Sequence, residues 1–345
     1  MTSRPQTTQT PISTMRISRI RGVALVSVLL IVALVAALAW RMITQHQLAV
    51  AHTRHFLHGG QARHYALAGE EYARQALFAD WEDEETRTTD TLLEKWSNPH
   101  PGVSGRAGEA GQGTAPRILR FEGGEVVVSI TDLGGRFNLN ALVGPESAEN
   151  LLRLRRLLEG LSLDPVLADA WLDWVDEDAE LHEFGAEDGE HLMAAEPHRV
   201  ANAPAADASE FLIATQLAAE QWRALYPHVT ALPLGELAVN VNTAGEEVLA
   251  SLAPNLVRAE VRALVESSRE FDSVESFTAD HPAYGASVGT LAVASEFFEV
   301  HVRADILGRV SEIVSTLHRD PSSGELRVIR RREDSPPRPI EEGPR

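Results

Sequence analysis

The chain has 345 residues, room for two compact domains besides a membrane segment, and 44% of them are hydrophobic, which excludes wholesale disorder. Five of its thirty-one cationic side chains precede Met42 and no acid does, so the net charge of −19 divides into a basic N-terminus and a remainder carrying −24. A body that acidic disfavours phosphate backbones and anionic lipid, and the absence of cysteine excludes disulfides and thiolate metal sites.

Residues 1–15, rich in Thr, Gln and Pro, read as unstructured. From Val23 to Trp40 every residue but Ser27 is apolar, a run about 27 Å long as a helix, close to the thickness of a bilayer core. Arg16, Arg19 and Arg21 ahead of it predict a single span with the remainder exported, on the positive-inside rule. Three fates are open to the span. Ala37-Leu38-Ala39 fits a signal-peptidase site, the uninterrupted run fits a plain anchor, and Arg21-Gly22 fits the site at which type IV prepilins and pseudopilins are cut.

Beyond the span, Ala62, Tyr65, Gly69, Tyr72 and Ala76 recur at steps of three and four, and no proline interrupts positions 23 to 98. This predicts one helix from Val23 to about Asp80, roughly 87 Å long, with Gly59-Gly60 as a place to bend. His46, His52, His55, His58 and His64 lie on it without a carboxylate at ligand spacing, and read as a solvated face. Residues 99–116 carry five glycines and read as a loop. Arg117–Phe121 and Glu125–Ile130 alternate around Glu122-Gly123-Gly124, which predicts a β-hairpin. Gly134-Gly135 lacks the lysine of a phosphate loop and reads as a structural turn.

From Pro145 to about His281 the pattern changes to short helices, with leucines at 151, 152, 154, 157, 158 and 161 and a second helix over Pro165–Val175. That helix runs into the most acidic stretch of the chain, Asp173 to Glu180, followed by Gly185-Ala186-Glu187-Asp188. Hard divalent cations need several oxygens converging on one point. Asp176, Asp178, Glu180 and Glu187 occupy the first, third, fifth and twelfth places of an EF-hand loop, but Leu181 stands where that loop requires glycine. Two readings stay open here: a calcium loop of another shape, and a solvated acidic loop. Asp176 and Glu187 as paired catalytic carboxylates, or Asp176-Glu177-Asp178 as a phosphatase nucleophile pair, would need a buried strand before them, and the preceding element is a helix.

Asn240-Val241-Asn242-Thr243-Ala244 leads into helices expected over 244–252 and 255–268, with Thr243 and Glu246 placed as a capping box. The pair resembles a helix-hairpin-helix unit. Its hairpin, Ala253-Pro254-Asn255-Leu256, has no glycine to bring amides to a phosphate, which argues against DNA binding. Phe297–His301 and Arg309–His318 read as strands, and Asp320 to Gly324 as a turn leading to Leu326–Arg330. That hairpin is expected to pair with the earlier one, which makes the helical region an insertion. Residues 333–345, proline-rich and charged, read as a disordered tail.

Taken in order, Arg21-Gly22 before the span, Gly135-Arg136-Phe137-Asn138-Leu139-Asn140, Asp173 to Asp178, Gly185 to Asp188 and Asn240 to Ala244 resemble the minor pseudopilin K family of bacterial type II secretion systems. Other pseudopilins have glutamate as the fifth residue after the cut; here it is Ser27, a departure shared by the K type. The resemblance implies an α+β fold with a long N-terminal transmembrane helix and an antiparallel-sheet pseudopilin domain carrying an inserted all-α domain. In residue numbers this gives a leader 1–22, a helix 23–80, a sheet domain 81–144 and 286–332, an insertion 145–285 and a tail 333–345. It implies processing after Gly22 and methylation of the amine of Val23 by the prepilin peptidase. It implies a periplasmic body held in the inner membrane, with the I-, J- and H-type minor pseudopilins and the major pseudopilin as partners and no nucleic acid or catalysis. It places structural calcium on Asp176, Asp178, Glu187 and Asp188, with Asn202 a further ligand, while Glu190-His191 stand where relatives often carry tyrosines. The competing readings are a membrane-tethered helix-hairpin-helix DNA-binding protein of competence type and an anchored metallohydrolase.

Overall fold

The computed structural model describes residues 18–97, 116–193, 197–233 and 235–334, without the side chains of 18–22, 190 and 334. The expected unstructured segment 1–15, nearly all of the glycine-rich loop 99–116 and residues 335–345 of the expected tail lie outside the described residues. The chain divides after His58 into two units.

The first unit contains the start of α1, whose helical residues run from Ser18 to Glu82 and so include both Gly22 and Val23. A helix of this length needs no tertiary support along its apolar run if lipid covers it, and an 18-residue window in Val23–Glu82 has a mean hydropathy of 2.9 with none of it buried. It is long and apolar enough to cross a membrane.

In the second unit the rest of α1 lies on a five-stranded antiparallel sheet. The strands are β1 (Arg117–Phe121), β2 (Gly124–Asp132), β7 (Phe297–Ile306), β8 (Arg309–Arg319) and β9 (Leu326–Asp334), hydrogen-bonded in that order. Phe121 pairs with Gly124 across a two-residue turn whose Gly123 has φ +96°, and Ile306 pairs with Arg309 across Leu307 and Gly308, both in the left-handed region. Strand β9 continues through Glu333 to Asp334, so these two residues belong to the sheet rather than to a tail.

The buried face of α1 is Ala62, Ala66, Gly69, Ala73 and Leu77, and from Ala66 onward it shares a core with Val126, Val128, Phe298, Val300, Val302 and Ile313. It is rotated slightly from the expected face, because the sheet selects the small side chains and leaves Tyr65 at the margin, stacked on Phe121 at 4.4 Å between centroids. Three polar ties hold α1 to β9: Arg63 with Glu333 at 2.6 Å, Glu70 with Arg331 at 2.6 Å, and Arg74 donating to the Leu326 carbonyl at 2.8 Å. Burial pushes the Glu70 carboxyl up, but bonds from Arg331 and Ser315 hold it below its ordinary value.

Between β2 and β7 the chain leaves the sheet and builds a separate hydrophobic core. This region holds α2 (Ser147–Gly160), α3 (Leu167–Val175), α4 (Asp188–His191), α5 (Glu210–Thr215), α6 (Ala219–Leu225), α7 (Glu246–Leu252), α8 (Arg258–Glu266) and α9 (Val274–Asp280). Two short parallel ladders join it, β3 (Phe137–Asn138) with β4 (Val229–Thr230) and β5 (Val239–Asn240) with β6 (Leu291–Ala292). Leu154, Leu157 and Leu158 of α2 meet Trp171 of α3, Phe211 of α5 and Leu249 of α7 in that core. The last turn of α7 is capped by arginines of α2: Arg156 donates to Ser251 O at 2.7 Å and Arg153 to Leu252 O at 3.4 Å.

The capping box expected at Thr243 does not form. Gly245 is the residue before α7, and the Thr243 hydroxyl instead donates to Asp132 Oδ2 at 2.5 Å, because a buried carboxylate is a stronger acceptor for it than a helix end is.

Candidate functional site

Helix α3 ends where Asp176 turns extended, with φ −75° and ψ 164°, and its backbone N–H still bonds Leu172 O at 3.0 Å. One turn back, Asp173 is fully buried. Its carboxylate accepts from the His182 N–H at 3.3 Å and meets His182 Nδ1, which folds the acidic loop back over the end of α3. Gly185 lies against the same carboxylate: a Cβ there would come within 1.8 Å of Asp173 Oδ2, so a larger residue requires that buried carboxylate to move off His182.

The loop beyond is shaped by its own acids. Asp178 Oδ1 accepts the Glu180 N–H at 2.8 Å. Asp188 opens α4, and its oxygens accept from the Val200 N–H at 3.0 Å and from Arg199 Nη1 at 3.4 Å. Asn202, left-handed at φ +43°, sends its N–H to Trp174 O at 3.0 Å and its side-chain amide to Asp178 O at 2.9 Å. Four segments thereby converge: the end of α3, the loop 177–187, the start of α4 and the returning segment 200–202.

Two buried oxygens at this convergence, Asp176 Oδ1 and Asn202 Oδ1, have no hydrogen-bond partner among the described residues. Burial, and then the neighbouring Asp178 and Asp173, push the Asp176 carboxyl up to about 6. Burial also raises Glu187, followed by repulsion from Asp173, Asp176 and Asp178. An all-oxygen set with more negative charge than its surroundings balance is the donor chemistry of a hard divalent cation, and the two orphaned acceptors suit one. Of the residues expected at such a site, Asp176, Asp178 and Glu187 are near enough to act on one another's charge, and Asn202 bonds the Asp178 carbonyl, while Asp178 itself is exposed. Asp188 stands at the rim, engaged by Val200 and Arg199. Glu180, the fifth-place residue of the rejected EF-hand register, is exposed.

Sequence reasoning did not single out Asp173 and His182, although Asp173, Asp176 and His182 offer ligand atoms within 4.8 Å of one another. A cavity of about 590 Å³ opens beside them, floored by Leu142, Leu172 and Val175 and edged by Asp176, Asp178 and His182.

The helix-hairpin-helix expectation gives α7 and α8, somewhat shorter than expected, joined through Asn255 at φ +62°. Its cations are already spent within the pair: Arg258 bonds Glu247 at 2.6 Å and Arg262 bonds Glu246 at 3.1 Å. Nothing supports the DNA-binding alternative.

An apolar N-terminal helix that continues over an antiparallel sheet defines a pilin-type subunit, here enlarged by a helical insertion with an acidic site. The profile of the family described as "Type II secretion system (T2SS), protein K" matches residues 135–234 in its first part and 239–300 in its second. The chain is 35% identical to the type II secretion system protein K of Pseudomonas aeruginosa over 329 residues, covering 90% of this chain and 92% of the relative. It is 33% identical to that of Klebsiella pneumoniae, covering 81% and 86%. A chain in the crystal structure of the GspK-GspI-GspJ complex from the enterotoxigenic Escherichia coli type 2 secretion system shares the fold, with a TM-score of 0.68 and 24% identity over 82% of this chain and 99% of the other. The chain belongs to the type II secretion system protein K family and is a minor pseudopilin.

Proposed function

We propose that this pseudopilin sits at the tip of the type II secretion pseudopilus, where it initiates and caps the filament that exports folded proteins across the outer membrane. The reading rests on one observation above the others: α1 spends its small-residue face on its own sheet, while Val23, Leu30, Val35, Ile43 and Phe56 remain exposed along the helix. Such a surface needs lipid around part of it and other helices around the rest. The prepilin peptidase cuts after Gly22 and methylates Val23, the helix is held in the inner membrane, and the acidic body lies in the periplasm. The I- and J-type minor pseudopilins pack beside α1, as the names of the complex with the same fold suggest, with the H type and the major pseudopilin below. The bulk of the insertion leaves no room for a further subunit above. The role is structural, not catalytic.

Calcium fits the acidic site. Asp176, Asp178 and Glu187 would hold it, with Asn202 Oδ1 as a neutral donor and Asp188 closing the loop from the rim. Bound there, the ion supplies positive charge that offsets the crowded carboxylates and ties the loop 177–202 to α3.

Co-expression of the tagged chain with the I- and J-type minor pseudopilins in membranes tests the assembly. All three should elute together at equal stoichiometry. Elution of the tagged chain alone, with all three proteins present and processed, defeats the reading.

A further inference from the structure

The segment 83–97 that follows α1 is a clasp. Its Asp90 N–H bonds Val293 O at 2.9 Å, and Trp96 packs edge-on against Phe298 of β7 at 5.5 Å between centroids. It is fastened where acid outnumbers base. Asp80 from the last turn of α1 and Asp90 and Glu94 of the clasp bring carboxylate oxygens within 4.8 Å of one another. From β8, Arg319 answers them: Nη2 donates to both oxygens of Asp90 at 2.8 and 2.5 Å, and Nη1 lies 3.4 Å from Asp80 Oδ2. From β2, Asp132 adds a fully buried carboxyl whose charge is opposed by that of Asp90. The remaining groups that face these acids are neutral: Thr86 beside Asp80, the Thr91 N–H and Trp96 Nε1 on Glu94, the Ser295 N–H on Asp90, and the Gly134 N–H, Asn240 Nδ2, Ser295 and Thr243 on Asp132.

Four carboxyls therefore meet one guanidinium in a place shielded from water, and its short bonds go to Asp90, with only the longer contact left for Asp80. Asp80, with Arg319 Nη1 only at 3.4 Å, and Glu94, with no cation of its own among the described residues, hold carboxylate oxygens within 4.8 Å of one another. Two carboxylates have no hydrogen to share, so groups brought this close can bond each other only when one carries a proton. Burial, reinforced by the charge of Asp90, pushes Asp80 up to about 6; burial, reinforced by the charges of Asp80 and Asp90, pushes Glu94 up to about 8.

We propose that Asp80 and Glu94 hold one shared proton that fastens the clasp 83–97 to the end of α1, and that its loss as pH rises through neutrality unfastens the clasp locally. The sign follows from the raised values. The protonated pair favours the closed form; that contribution is complete at acid pH and is lost on the way to alkaline pH. The backbone bond at Asp90 and the packing of Trp96 confine the opening to the clasp. A divalent ion on the same three carboxylates would act in the opposite sense, tightening as the acids ionise.

Hydrogen exchange of the full chain in detergent micelles, followed by mass spectrometry and corrected for intrinsic rates, tests this. Peptides from 83–97 should lose protection about tenfold between about pH 5.5 and 8.5, while those from β7 and β8 do not change. Glu94→Gln, which donates an amide hydrogen to Asp80 without titrating, should keep the clasp protected at both pH values. Asp80→Asn makes the same test from the other side, and the β7 peptides report whether either variant folds. The proposal is overturned by equal wild-type protection at both pH values, by a loss that survives in both variants, or by protection restored at high pH with about 1 mM calcium in a chain carrying Asp176→Asn.

Discussion

Asp176 and Asn202 each bury an oxygen acceptor that no donor reaches among the described residues, and both face a loop crowded with carboxylates. A bound cation acts on such a site by mass action: at a hundred times its dissociation constant it adds about 2.7 kcal/mol to the folded state. Chelation should thus lower the melting temperature of the wild-type chain by a few degrees, measured by scanning fluorimetry in detergent. Asp176→Asn keeps the shape but removes one of the opposed charges. The variant should be no less stable than the chelated wild type and should lose its response to calcium. Identical wild-type melts with chelator and with calcium would reject the ion.

At this scale the sequence displayed the acids but not their surroundings. Asp176, Asp178 and Glu187 stood out by spacing, and Asn202 came from family resemblance. Asp173 escaped notice because a carboxylate one turn from a helix end looks solvated; only the fold over of His182 and Gly185 buries it. Thr243 misled for a related reason. Its true acceptor, Asp132, is 111 residues away, and no local pattern encodes that distance.

Among elements, α1 carries the closest steric constraint in the sheet domain. A Cβ on Gly69 would lie 2.5 Å from Val302 Cγ1 and 3.0 Å from Val126 Cγ1, so the helix descends onto the strands there as near as side chains allow. Gly69→Val should cost about 1–3 kcal/mol by overpacking, read as a lower midpoint in chemical denaturation of the detergent-solubilised chain, with insertion of the helix in the membrane unaffected. Ala66→Gly, which deletes volume from the same face, should cost less than that. The helical period, the two glycine-turn hairpins and most strand limits were legible because period and turn chemistry are local. The direction of the helix face was off by about one position, since the strands, not the helix, decide which side chains are small enough to lie beneath it. The short ladders β3–β4 and β5–β6, two residues per strand, are pairings across long separations and left no trace in the sequence.

Across the molecule, polar ties join the sheet and the helical region, and the most deeply buried is a knot around one carboxylate. Asp132 on β2 accepts from Gly134 N–H, Asn240 Nδ2, Thr243 and Ser295, so the residues that leave the sheet and those that return to it are tied to the same carboxylate. A second tie lies on the open face of the sheet, where Arg330 of β9 bonds Asp207 at 2.6 Å and the Ala206 carbonyl at 2.7 Å. These contacts account for a single stable arrangement of two cores that share few apolar side chains.

The exit and the return are also neighbours in the ladder: Asp132 is paired with Phe298, and the Leu133 N–H bonds Phe297 O at 3.0 Å. Everything between passes through one doorway of adjacent strands. Closing that doorway with an Asn-Gly turn from Leu133 to Phe297, together with Asp132→Asn to spare a stranded charge, should leave a chain that still melts cooperatively and still enters the membrane. On the proposed role such a trimmed protein would have lost its end-stop: in cells it should be found along the length of filaments as well as at their ends, a building block in place of a terminus.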